Sequence, residues 1–356
     1  MPASRSDNME AWEALNAAVA AARAEVASAA PDPAVAAEGE AYVMRILATC
    51  LNDAFLGHLF TDSGLARALP TRGGPNPDYK MAYAPLDHAR RYRLEGRLND
   101  SERVGVGTYS FGPGGSANIC DYAAFDRTSV GADGRFGLDI ATDAAGPRVL
   151  IIRPEARVVM IRTLHRDPSG DPARLVLTGG APMRDLTLAQ GNADAALRQV
   201  AHSLLGSIRT FLEWSAVTSA AVNSFHPKTP NMAQGVQGDP DTSYFLGSLK
   251  LEEGEWLEVT LPARIPGYWS LHAYNHWCEF LPGASVGDNN CIAEADGSIR
   301  IAVGPEAGDA PNRVDTLGRR RGALICRFIG AMVVTVPTTV VRSDAKPKEP
   351  PSTTPP

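Results

Sequence analysis

The segment Tyr268-Trp269-Ser270-Leu271-His272-Ala273-Tyr274-Asn275-His276-Trp277 decides the fold. It is β-rich and dense in aromatics, the composition of a strand whose two faces are both occupied. Similar runs surround it: Tyr244 to Leu251, Trp256 to Leu261, Ile299 to Val303, Ala323 to Phe328 and Met332 to Val336, with turns at Glu253-Gly254 and Asp296-Gly297. Short strands at this spacing predict an antiparallel β-sandwich rather than βαβ units.

Toward the N-terminus, helical periodicity spans Leu186 to Ala221, with Leu197, Val200, Leu204, Ile208, Phe211, Leu212 and Val217 on one side. Before it lies a second β-rich block with runs at Tyr92 to Arg97, Val104 to Phe111, Val149 to Ile152 and Val158 to Leu164, read as an antiparallel meander. A cluster of turn formers, Pro70 to Asp78, separates that block from two N-terminal helical patterns. The first runs from Asn8 to Ala29, with Asp7 and Asn8 as candidate caps, and is expected on the surface. The second runs from about Ala34 to Phe60 with a face of Tyr42, Ile46, Leu47, Cys50, Leu51 and Phe55. The expected class is α+β, an antiparallel sandwich with flanking helices and a second β-rich block. Its expected segments are 1–70 helical, 71–182 β-rich, 183–222 a helical connector, 223–342 the C-terminal sandwich and 343–356 a disordered proline-rich tail. No internal repeat of fixed period is seen.

The 356 residues include 34 basic and 40 acidic side chains, and their interspersed net charge of -6 supplies no basic stripe for nucleic acid. Cys50, Cys120, Cys278, Cys291 and Cys326 are widely spaced and odd in number, which fits reduced thiols in a cytoplasm. Neither a signal peptide nor a membrane span is expected. The histidines show no H-x-H pair, so no metal and no cofactor is expected.

The run Tyr268 to Trp277, Asp296-Gly297, the loop Pro311-Asn312-Arg313-Val314-Asp315-Thr316-Leu317-Gly318, and Arg321-Gly322 with Arg327 resemble the domain-of-unknown-function family 1214 (DUF1214). Arg313 stands where that pattern usually has tryptophan. The resemblance extends loosely upstream through Asn76-Pro77-Asp78-Tyr79, Ala84-Pro85-Leu86-Asp87 and Tyr92 to Gly96, and places Arg162 and Asp167 where relatives carry an arginine and an aspartate. It implies a jelly-roll-type sandwich and no established reaction.

Several motifs are set aside. His165-Arg166-Asp167 has Pro172 where a kinase loop needs its asparagine, and Arg162 with Asp167 is expected to form an ion pair. Gly105-x-Gly107 and Gly112 to Gly115 read as loops, and no G-x-S-x-G elbow occurs. The strongest candidate is the group Trp269, Tyr274, Asn275, His276, Trp277 and Glu279. If strand alternation holds throughout, Tyr274 and His276 share one face, and Asn275, Trp277 and Glu279 the other. His272 or His276 would be the general base, Glu279 or Asp315 its partner, and Asn312 or Asn275 an oxyanion donor. The plainer reading is that the tryptophans fill the core while Asn312 and Asp315 cap a turn.

Asn76 and Asp78 are a further polar pair, with turn capping as their plainer role. Arg153, Arg162 and Arg327, in β-rich segments, are candidates to hold an anionic group. The leading expectation is a metal-independent hydrolase or lyase for a small, partly hydrophobic, and in one version anionic, organic molecule. The alternatives are a non-catalytic carbohydrate- or lipid-binding sandwich with Trp269 and Trp277 as contact surface, or a structural helper in an assembly. Homo-oligomerisation is left open.

Overall fold

A computed structural model describes residues 5–56, 61–62, 64–67, 73–112, 117–181, 193–227, 238–262, 265–306, 310–330 and 336–343. Its N-terminal helices form as their periodicity dictates. Helix α1 (Arg5–Ala29) buries Ala11, Leu15, Ala18, Ala22 and Val26, a stripe at helical spacing, and leaves Met9 and Trp12 exposed, so it lies at the surface with one face packed. It begins upstream of Asp7 and Asn8, which therefore lie inside it instead of capping it. Helix α2 (Pro33–Leu51) packs on α1; Asp32 caps it, accepting from the Val35 N–H at 2.9 Å, and Pro33 occupies the first turn where no N–H is needed. A π-helical turn, Asn52–Leu56, follows.

Helix α3 (Ala193–Ser219) buries Leu197, Val200, Leu204, Ile208 and Phe211, but Val217 is exposed. The tail from residue 344, most of the Met332–Val336 run and the start of the predicted helix at Leu186 lie outside the described residues.

The chain divides into two compact units, residues 1–214 with 229–240, and 215–228 with 241–356. In the first, one sheet has the order β1 (Thr61–Asp62), β2 (Leu65–Arg67), β3 (Tyr79–Pro85), β9 (Val158–Leu164), β5 (Arg103–Phe111), β6 (Ala117–Asp126). The other has the order β10 (Arg174–Thr178), β4 (Tyr92–Arg97), β7 (Arg135–Ala141), β8 (Val149–Ile151). Val104 and Val106 of β5, Val159 and Ile161 of β9, and Leu94, Leu138, Ile140 and Leu150 of the facing sheet fill the space between them. The block is thus a sandwich and not a meander, and β7 pairs β8 in parallel. Gly105 and Gly107 lie within β5 rather than in a loop.

The second unit repeats this plan. One sheet has the order β11 (Phe225–Pro227), β12 (Thr242–Lys250), β18 (Arg321–Ile329), β14 (Trp269–Tyr274), β15 (Phe280–Gly287). The facing sheet has β17 (Asn312–Val314), β16 (Ile299–Val303), β13 (Glu255–Leu261), β19 (Thr338–Ser343). Trp269, Leu271 and Ala273 of β14 and Leu324, Cys326 and Phe328 of β18 meet Leu257, Val259, Ile301 and Val303 in its core. Glu253-Gly254 and Asp296-Gly297 are turns, with Gly254 at φ 77° and Gly297 at φ 83°, a region glycine enters without a Cβ penalty.

Taken in chain order, β3 to β10 correspond one for one to β12 to β19. The central order β3-β9-β5-β6 is matched by β12-β18-β14-β15, and β10-β4-β7-β8 by β19-β13-β16-β17. The parallel pair β7·β8 recurs as β16·β17. The chain therefore contains a duplicated sandwich, a repeat of topology that the search for a fixed sequence period passed over.

Candidate functional site

Alternation along β14 and β18 sends every second side chain away from the sandwich core. On β14 these are Ser270, His272 and Tyr274; on β18 they are Ala323, Ile325 and Arg327. Antiparallel pairing sets them in rows. Tyr244 of β12, Arg327 and Ser270 form one row; Leu246, Ile325, His272 and Ser285 form the next; Ser248, Ala323, Tyr274 and Phe280 the third. His272, Tyr274, Ser270 and Arg327 are all buried.

Arg327 reaches along the face. Its Nη1 donates to Tyr274 Oη at 2.8 Å and lies 3.4 Å from His272 Nδ1. The guanidinium carbon is 5.9 Å from the Tyr244 ring centroid and 5.8 Å from that of Tyr274, within cation–π range. Tyr268 donates to Ser270 Oγ at 2.7 Å, and Phe280 closes edge-on against His272 and Tyr274 at 5.7 and 6.2 Å between ring centroids. A break in the β14–β15 register between His272 and Tyr274 is of the kind that re-aims a side chain at a functional position.

The electrostatics follow from burial and the guanidinium. Desolvation, then the charge on Arg327, holds the His272 imidazole well below its ordinary pKa, so it is neutral near pH 7. Burial works against the charge on Arg327, but Tyr274, Tyr244 and Tyr268 outweigh it and the guanidinium stays protonated. The arrangement combines a fixed cation, phenol hydroxyls and one neutral imidazole. It can hold a carboxylate or phosphate and offer a base beside it.

Not all the sequence candidates gather here. β14 ends at Tyr274, so His276 lies in the following turn, not four residues along the same strand face as His272. In that turn Asn275 Oδ1 accepts from the N–H groups of Trp277 and Glu279, and its amide donates to Glu279 Oε2 at 2.9 Å. His276 meets the Trp277 ring edge-on at 4.9 Å. Asn275 and Glu279 therefore build a turn.

Asp315 accepts from the Leu317 N–H at 2.7 Å, while Asn312 ties the Ile292 backbone to that of Arg300. Trp269 and Trp277 are buried, Trp269 within the sandwich core. Arg313 is exposed and donates to the Pro305 carbonyl, and Arg153 is exposed as well.

Asn76, Asp78 and Arg162 belong to the first unit. Asn76 Oδ1 accepts from the Asp78 N–H at 3.0 Å, and the Asp78 carbonyl accepts from the His165 N–H. Arg162 does not pair with Asp167, whose carboxylate instead accepts from the hydroxyl and N–H of Ser169. Among the described residues no group of histidine, cysteine and acidic side chains is placed to hold a metal.

Tyr244, Tyr268, Ser270 and Phe280 were not singled out from sequence. The available signal was the pattern Ser270-x-His272-x-Tyr274, three polar side chains on one face of a strand whose other face is apolar.

No protein-family model matches the chain, and no curated protein matches its sequence. Among solved structures it is similar to a putative uncharacterized protein from Burkholderia cenocepacia, with a TM-score of 0.80 and 22% identity over 94% of this chain and 96% of that one. That likeness shows the fold. The VPA0106 protein from Vibrio parahaemolyticus matches at a TM-score of 0.45 and 14% identity over 82% of this chain and 93% of that chain. Among the described residues no helix is long and apolar enough to cross a membrane.

Proposed function

We propose that this chain is a metal-independent lyase or hydrolase acting on a small, partly apolar organic anion at the Arg327 face of the second unit. The observation that carries the reading is the buried Arg327–Tyr274 hydrogen bond with His272 alongside. In this reading Arg327 and Tyr274 hold the anionic group. The Tyr274 oxygen accepts from Arg327, which fixes the phenol beside the guanidinium, where the two groups face the same anion. Neutral His272 takes a proton, from carbon in a lyase or from water in a hydrolase. Tyr244 and Phe280 supply the apolar contact.

Burial of both tryptophans supports this reading over a carbohydrate- or lipid-binding surface built on Trp269 and Trp277, because neither presents an open ring face. The resemblance to family 1214 is kept within the same proposal, as kinship of the β14–β18 region. Cytoplasmic residence also belongs to it: all five cysteines are free, and burial pushes the Cys278 thiol up to about 11.

The test is a screen of small carboxylic and phosphate compounds and their esters, with product detection by NMR, on wild type, His272→Gln and Arg327→Met. His272→Gln should lower turnover by about 10²–10⁴-fold while anion binding persists, the usual worth of a general base. Arg327→Met should lose both. Unchanged turnover in His272→Gln would remove the histidine from the reaction.

A further inference from the structure

We infer that the first unit carries a second binding site for a small organic anion, centred on Arg162 and Tyr109. The strand correspondence places them where the second unit has Arg327 and Tyr274. Arg162 of β9 pairs with Met81 of β3 and Gly105 of β5, as Arg327 of β18 pairs with Tyr244 of β12 and Ser270 of β14. Tyr109 lies four residues beyond Gly105, as Tyr274 lies four beyond Ser270. In each unit the arginine Nη1 donates to the tyrosine hydroxyl. The Arg162 guanidinium carbon stands 5.2 Å from the Tyr109 ring centroid. Even the register break recurs, between Thr108 and Tyr109 on β5.

The residues around this pair leave room for its aromatic side chains. A Cβ on Gly107 would lie 2.6 Å from the Tyr109 ring, and one on Gly105 would lie 2.2 Å from the Tyr122 hydroxyl, so the two glycines create the slots that admit both phenols. Arg103 is engaged by Asp239 at 3.4 Å and donates to the Tyr122 hydroxyl. Met81 and Met160, half-buried on the Arg162 face, add soft and adaptable apolar contact. Gly107 occupies the place of His272, so this site has the clamp without the imidazole: it binds and does not turn over. The ligand class rests on the reading of the second unit; the Arg162–Tyr109 contact itself belongs to the first unit.

The test uses the full chain and phenylglyoxal, an arginine-selective reagent with a small aromatic ring, with labelling mapped by peptide mass spectrometry in the presence and absence of benzoate. Arg162 should be labelled in the folded protein, and benzoate approaching saturation should slow that labelling by about fivefold or more. Tyr109→Phe, which keeps the ring but removes the hydroxyl, should reduce the protection. Arg162 that labels only on unfolding, or at a rate benzoate leaves unchanged in wild type, overturns the inference. Arg327 in the same digest separates the two readings: protection there with silence at Arg162 sinks only this inference, and the reverse sinks only the reading of the second unit.

Discussion

On the face turned away from its sandwich core, β5 of the first unit carries Gly105, Gly107 and Tyr109, where β14 of the second carries Ser270, His272 and Tyr274. The arginine and the tyrosine are common to both; the middle residue is not. A buried guanidinium is costly to desolvate and persists only where hydrogen bonds and ring faces compensate it. That both units accept this cost at the same place on the same fold makes the arginine–tyrosine pair a feature of the duplicated frame. His272 is then the departure, because the frame stands without it in the first unit. A side chain that the fold does not need, buried and neutral beside a cation, is where chemistry is expected.

The largest expected effect comes from exchanging the middle residue. Gly107→His forces a side chain into space held by the Tyr109 ring, whose hydroxyl is fixed by Arg162, and should destabilise the protein by about 3 kcal/mol in urea unfolding. His272→Gly opens a void instead and should cost about 2 kcal/mol, with benzoate protection of Arg327 retained. If Gly107→His were neutral, the slot over β5 would not be set by the tyrosine and the comparison would lose its structural basis.

Next come the arginines. Arg162→Met and Arg327→Met each remove a charge-assisted hydrogen bond to a buried tyrosine hydroxyl, a loss of about 2 kcal/mol apiece. Near-equal losses in the same unfolding assay sharpen the comparison. A loss confined to one unit means that the two pairs carry different structural loads.

Much of this frame was legible. Tyr92–Arg97, Val158–Leu164 and Ile299–Val303 end where their patterning predicts, because period-two alternation over a single core leaves little freedom. The duplication was hidden because pairing fixes a face and a row, not an identity: Gly105 answers to Ser270, Gly107 to His272 and Met81 to Tyr244. Tyr109 with Tyr274 and Arg162 with Arg327 do keep identity, and the numbers of both pairs differ by 165 (274 less 109, 327 less 162), an offset far longer than the repeats a short-period search covers. The site was half legible. Alternation extended past Tyr274 misplaced His276, because Asn275 folds back onto Trp277 and Glu279 and ends the strand. Glycines in β5 read as loop formers because their reason is a neighbouring ring in space, invisible to local propensity.

The smallest effect is the most diagnostic of the difference between the units, since it isolates the imidazole that the second unit has at the place of Gly107. His272 is held well below its ordinary pKa by burial and by Arg327, whereas in the unfolded chain it titrates near the usual 6.5. Below that pH the unfolded state binds a proton that the folded state refuses, so stability falls as pH falls and is recovered above it. The slope reaches at most about 1.4 kcal/mol per pH unit from this single group. Other groups titrate in the same range, and comparing wild type with His272→Gln cancels their share. Urea unfolding at pH 7.5, 6.5 and 5.5 should show wild type losing stability relative to the variant only below about pH 6.5. Parallel curves would mean that His272 takes up its proton in the folded protein, in which case Arg327 does not keep it neutral and the second unit is no more poised for base chemistry than the first.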